Sequence, residues 1–158
     1  MKDKKFLFFL LLSIVVGSCR GDYGTTEEIA ECYEKKGITF DKEVECCVVL
    51  PEVGCEGCIA AGVQLFLDNK KSFLKTQKKN QIVFTMVNSL KMLLRTLELS
   101  SLEDFNCHLD LKNDYLVAGK NSIYPLILHL KDGKITKAEF QSPYSNDVIG
   151  QLYKELAE

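Results

Sequence analysis

A chain of 158 residues, 46% of them hydrophobic, is long enough for one globular domain with its own core plus a short targeting segment. The formal charge is −2, and beyond residue 18 the chain carries 17 basic against 21 acidic side chains, a net of −4. So mildly acidic a balance lacks the electrostatic footprint of a nucleic-acid binder, and no nucleic-acid partner is expected.

The first residues read as an address. Met1-Lys2-Asp3-Lys4-Lys5 is a positive n-region, and Phe6 to Val16 is an apolar run of eleven residues interrupted only by Ser13. That is too short for a membrane span of ~20 residues and within the range of a signal peptide. The run ends in Val16-Gly17-Ser18-Cys19, which resembles the bacterial lipoprotein signal. Small residues let a peptidase reach the backbone, and the Cys19 thiol is the expected site of lipidation. Residues 1–18 are thus expected to be a lipoprotein signal peptide and residues 19–39 a lipidated tether with a short helix. A domain over 40–158 follows. Several acyl chains on Cys19 would hold the protein on a membrane, since one chain binds only marginally.

The tether includes Arg20-Gly21-Asp22, a triplet too short to carry an adhesion function by itself. Thr25-Thr26-Glu27-Glu28 predicts a capping-box helix running to about Lys36 and stopped by Gly37. Val44 to Leu50, apolar and β-branched, predicts a buried strand ended by Pro51. A loop of Glu52-Val53-Gly54 leads into Cys55-Glu56-Gly57-Cys58 and a helix. Along it Ile59, Val63, Phe66, Leu67 and Leu74 keep helical spacing. Lys70, Lys71, Lys75, Lys78 and Lys79 then form a basic cluster, read as a solvated helix face and C-terminal turn.

Gln81 to Val87 predicts the next strand, and Asn88-Ser89 caps a helix carrying Leu90, Leu93, Leu94 and Leu97. Within residues 100–123 the one recognisable element is a short strand over His108 to Leu111. Pro125 to Leu130, a turn with Asp132-Gly133, and Ile135 to Phe140 predict a β-hairpin. Ser145 or Asn146 is the expected start of a last helix bearing Val148, Ile149, Leu152, Tyr153 and Leu156.

A parallel strand–helix–strand unit followed by an antiparallel hairpin predicts an α/β domain: a central mixed β-sheet flanked by helices on both faces. That order, the Cys-x-x-Cys at a helix start, and the ending of Tyr124-Pro125, strand, Asp-Gly turn, strand and helix resemble the thioredoxin-like (redoxin) superfamily. The likeness extends to its membrane-anchored bacterial lipoprotein branch and covers roughly residues 40–158.

Two thiols separated by two residues across a helix start suit thiol–disulfide exchange, which needs an attacking thiolate and a nearby resolving thiol. Cys55 at the open helix terminus is the candidate nucleophile, because the helix dipole favours a thiolate there by ~0.3–1 kcal/mol. Cys58, inside the first turn, is the candidate resolving thiol. Glu52 and Glu56 oppose the thiolate, weakened by solvent screening.

The resemblance further implies a cis bond at Pro125 and a Tyr124 backbone that pairs with an extended substrate. It implies an enzyme without bound cofactor or metal, acting on exported protein thiols or disulfides. The electrons would come from a membrane reductant or another redoxin, at a membrane facing the periplasm of a bacterium. The sequence departs from the family in three places. Gly54 stands where many members have Trp, Glu56-Gly57 replaces Gly-Pro, and Val49 occupies a position that often holds a buried acid.

Two other readings of the same residues stand beside this one. Cys55 and Cys58 could bind zinc with Cys46, Cys47, Cys107 or His108, although Cys46 and Cys47, adjacent on a strand, must face opposite ways. Alternatively, Cys55–Cys58 is a static disulfide in a non-catalytic thioredoxin-like lipoprotein that serves as a binding or structural module. Cys46 and Cys47 are expected as buried apolar strand residues. The pairing of Cys32 and Cys107 is not readable from sequence, and His108 and His129 are expected to be structural or on the surface.

Overall fold

The computed structural model describes residues 24–53, 56–68, 70–76, 79–102, 105–117, 124–141, 147–148 and 150–152. The expected signal peptide, Cys19, Gly54 and Cys55 lie outside the described residues, as do Ser145, Asn146, Ile149, Tyr153 and Leu156.

Helix α1 (Thr26–Lys35) begins as its sequence dictates. Glu28 N–H donates to Thr25 Oγ1 at 3.3 Å, and Thr25 N–H donates back to the Glu28 carboxylate at 2.9 Å. These bonds satisfy two of the amides that a helix start leaves unpaired. At the other end Gly37 takes φ +70°, its N–H reaching Glu34 O while Ile38 N–H reaches Tyr33 O. Those paired bonds are the Schellman closure, which needs a left-handed residue that glycine supplies without strain.

Strand β1 (Cys46–Pro51) is buried at every position, as a central strand must be. Helices α2 (Glu56–Asp68) and α3 (Lys70–Thr76) follow, then β2 (Asn80–Thr85), α4 (Leu90–Thr96) and β3 (Cys107–Asp110). The hairpin of β4 (Leu126–Lys131) and β5 (Lys134–Phe140) completes the strands. Its turn residues Asp132 and Gly133 both have positive φ, 52° and 77°. This is the two-residue turn whose twist matches the flanking strands.

The five strands form one mixed sheet in the order β3-β2-β1-β4-β5. β1 runs parallel to β2, and β2 to β3, whereas β4 is antiparallel to both β1 and β5. Alternation along the strands splits the core in two. On one face Cys46, Val48, Leu50, Ile82, Phe84 and Ile127 meet Phe66 of α2, Leu93 of α4, and Leu152. On the other, Cys47, Val49, Val83, Leu126 and Leu128 meet Ile29 and Tyr33 of α1. The fold is therefore α/β with helices on both faces of a mixed sheet.

Several sequence expectations need correction. β2 stops at Thr85 because Met86 turns into the left-handed region at φ 55°, which leaves Val87 outside the strand. Leu111 belongs to the turn after β3 and is 75% exposed. Leu74 does not continue the buried face of α2; it lies in the separate element α3 and is 43% exposed. The last helical residues, Val148 and Gly150–Leu152, are capped by Asp147, whose carboxylate accepts from Gly150 N–H at 2.9 Å. The basic cluster also does more than face solvent. Lys70 Nζ donates to the terminal carbonyls of another helix, Leu97 O and Glu98 O, where a cation complements the α4 dipole.

Candidate dithiol site at the carboxyl end of the sheet

Pro51 is the last paired residue of β1, in register with Thr85. Beyond it the chain is held on two sides. Glu52 N–H donates to Thr85 O at 2.9 Å, and the Glu52 carboxylate accepts from Asn88 N–H in the turn before α4. That turn is itself held by Met86 N–H donating to Asn113 Oδ1 at 2.8 Å, with Asn113 at φ 58°. The residues entering the Cys motif are thus fastened to the turn after β2, and that turn to the loop after β3. α2 then starts at Glu56 and contains Cys58 in its first turn.

Tyr124 and Pro125 arrive at the same end of the sheet from the other side. β4 pairs with β1 as far as Val49↔Leu126, so Pro125 and Tyr124, the residues just before β4, enter at the end of the sheet where β1 leaves it. Adjacent strands lie ~4.8 Å apart. Pro125 is buried, and its carbonyl accepts from Gln141 N–H at 2.9 Å. The cis bond implied at Pro125 is not found: among the described residues no peptide bond is cis. The β4 register and the Gln141 bond set this segment without it.

Pro51, Thr85 and Asp110 form a row across three strands on the α1 side. The buried Asp110 carboxylate accepts from Asp114 N–H at 2.9 Å and Tyr115 N–H at 2.8 Å, folding the loop after β3 over the sheet. Tyr33 O–H donates to Tyr115 O at 2.6 Å and ties α1 to that loop. Burial, then the nearby Cys47 thiol, pushes the Tyr33 hydroxyl far above its ordinary pKa. The same two causes, followed by Asp110, raise Tyr115 to about 12.

Cys32, Cys47 and Cys107 are free thiols. Cys46 and Cys47 are buried on opposite faces of the sheet, as expected of neighbours on a strand. Burial pushes the Cys47 thiol well up and Cys107 to about 12, which favours the protonated thiol over the reactive thiolate in both. β2 separates Cys46 from Cys107, and among the described residues no three His, Cys, Asp or Glu side chains converge as a metal site would require. His108 is on the exposed edge strand, paired with Asn106 at 3.0 Å. His129 contacts Glu139 at 3.2 Å on the β4–β5 pair.

Sequence reasoning missed the clamping roles of Glu52, Asp110 and Asn113. Glu52 and its partner Asn88 are 36 residues apart, so no local pattern marks the pair. The Asp-Leu-Lys-Asn-Asp run at 110–114 does carry a turn signal in its Asp and Asn content.

No protein-family model matches the chain, and a search of curated proteins finds no match. Among the described residues no helix is long and apolar enough to cross a membrane.

Proposed function

We propose that the protein is a membrane-tethered thiol–disulfide oxidoreductase with a thioredoxin-like fold, anchored through Cys19 in a bacterial envelope. It acts on exported proteins through Cys55 and Cys58. The observation that carries this reading is topological. β1, central and wholly buried, runs directly into the Cys-x-x-Cys and its helix, and the Tyr124-Pro125 segment reaches the same end of the sheet on the neighbouring antiparallel strand.

In the reductive direction the Cys55 thiolate attacks a substrate disulfide, forming a mixed disulfide and expelling one substrate thiolate. The Cys58 thiolate then attacks the Cys55 sulfur, forming the Cys55–Cys58 disulfide and releasing the second substrate thiolate. Two electrons pass from the dithiol to the substrate, and the two dithiol protons pass through solvent to the departing thiolates. A membrane dithiol or another redoxin restores the reduced pair; run backwards, the same steps oxidise a substrate. Cys55→Ser should abolish reduction of a model protein disulfide, while Cys58→Ser should accumulate mixed disulfides. Full activity in both variants removes the mechanism.

One observation favours the static-disulfide alternative. Val49, where a buried acid often assists the second thiol, is 2% exposed inside an apolar cluster. A measured potential separates the two, since structural disulfides lie below about −300 mV and catalytic ones are more oxidising.

A further inference from the structure

Helix α4 and its C-cap turn Leu93 and Leu97 into the core and leave the other side of the helix open to water. Leu90 and Met92 there are 45% and 56% exposed. Leu90, Leu94 and Leu99 line a hollow of about 580 Å³ together with Lys91 and Arg95. A spacing of four puts the two leucines of α4 in one row and its two cations in the next. Among the described residues neither cation has an ion-pair partner, and no acid lines the hollow. Scattered apolar side chains are ordinary on a surface, but a cluster of them rimmed by polar groups marks an interaction site.

Charge and reach decide what covers this face. A two-fold contact with a second copy would set Lys91 and Arg95 against the same cations, with no acid in the hollow to answer them. An anionic bilayer answers them directly: lipid phosphates meet the cations, and the upper acyl chains cover Leu90, Met92 and Leu94. Because residues 19–158 carry a net −4, the attraction has to be local, at a face where cations stand without acids. The proposed anchor keeps such a surface close. Cys19 and Thr26 are seven residues apart, a span of at most ~25 Å. Thr26 stands at the level of the sheet, since its Oγ1 accepts from Ala138 N–H of β5 at 3.1 Å. α4 packs directly on the sheet through Leu93. Its outer side therefore stands ~15 Å from the sheet, within the tether's reach.

We propose that the open face of α4 docks on an anionic lipid bilayer, with Lys91 and Arg95 at the headgroups and Leu90, Met92 and Leu94 against the acyl chains. The inference rests on the tether reading and extends it from an anchored chain to an oriented domain. The sheet then lies along the membrane, and its carboxyl end, where the Cys motif begins, opens sideways over the lipid surface. A dithiol held that way meets partners embedded in the same bilayer.

The test uses the full chain, purified with its lipid and reconstituted into vesicles of phosphatidylcholine, alone or with phosphatidylglycerol as one lipid in three. Part of the phosphatidylcholine carries bromine on its acyl chains, which quenches tryptophan on contact. The chain has no Trp, so an introduced one reports alone. Met92→Trp should be quenched in the anionic vesicles, whereas Glu31→Trp, exposed on α1 across the sheet, should not. A cation near an anionic surface strengthens binding about five-fold, so Lys91→Gln with Arg95→Gln should lower the docked-to-free ratio about 25-fold. Neither cation has a partner to lose, and the melting temperature should stay unchanged. Equal quenching of both reporters, none of Met92→Trp, or quenching indifferent to the two Gln substitutions overturns the docking. A blue-shifted but unquenched Met92→Trp assigns the face to a second copy or another protein and overturns it as well. Flotation separates the two readings. A chain that floats with the vesicles but is not quenched overturns the docking alone, whereas one that floats with no vesicle overturns the tether, and the docking with it.

Discussion

Glu52→Ala should loosen the approach to the Cys motif by removing the acceptor for Asn88 N–H. A hydrogen bond to a charged group contributes ~1.5–3 kcal/mol. Glu52 is only partly buried, so solvent reduces the expected loss to about 1 kcal/mol. For a chain of this length that is a fall in melting temperature of ~2–4 °C. Glu52→Gln keeps an oxygen facing the amide and should lose less than about half of that. Charge has a second effect. Three residues span at most ~10 Å, and at that separation in water a unit charge is worth ~0.4 kcal/mol. Both variants should therefore alkylate about two-fold faster than wild type at the motif near neutral pH, as that 0.4 kcal/mol implies. Thermal unfolding and the rate of iodoacetamide modification, resolved by peptide mass, measure the two effects separately. Equal destabilisation by Gln and Ala, or none by Ala, would refute the clamp.

Gly133→Ala should cost about 1–2 kcal/mol, because φ +77° is strained for any Cβ and the added carbon would stand 2.9 Å from Phe40 O. An unchanged melting temperature would contradict that geometry. Native-state alkylation should spare Cys46 and Cys47, both buried, and label them only in urea; mass mapping of labelled peptides checks this. Stability should fall as pH rises above about 10, since the unfolded chain then releases tyrosine protons that the folded chain retains on Tyr33 and, up to about 12, on Tyr115. Cys47 and Cys107, also raised by burial, add to the same trend. Urea midpoints measured from pH 8 to 11 test this, and a flat profile would count against it.

The sequence features that proved most legible were those whose physics is local. Thr25 with Glu28 marks the start of α1, Gly37 its end, and Asp132-Gly133 the hairpin turn, because each partner lies within a few residues. The buried strand at 46–51 was readable from its apolar run, although pairing begins at Cys46 rather than Val44, where Glu45 and Cys46 amides first reach Lys79 O. The end of β2 was not legible. Met86 is an ordinary β-compatible residue whose left-handed turn is held by Asn113, 27 positions away. Leu74 misled for a similar reason. Its spacing fits the α2 stripe, but α3 is a separate element and turns that position to water. At the candidate site the Cys pair and Tyr124-Pro125 could be picked out by residue type, whereas the Glu52 and Asn113 clamps exist only through contacts between distant loops.

The two segments are brought to one end by the change of pairing sense at β1. Parallel neighbours send their outgoing loops to the carboxyl end, and the loops after β1, β2 and β3 accordingly gather there. An antiparallel neighbour instead brings an incoming chain to that same end, which is how the residues before β4 come to enter where β1 leaves the sheet. Open α/β sheets offer their crevices where such a reversal occurs. The register that sets this is itself fixed by the core. Leu126 and Leu128 are buried on the α1 face while Ile127 is buried on the other, so a one-residue slip of β4 along β1 would exchange the two faces. Tyr124 is therefore positioned by the same hydrophobic alternation that builds the core, and a substitution that weakened the β1–β4 register would disturb the site without touching a cysteine.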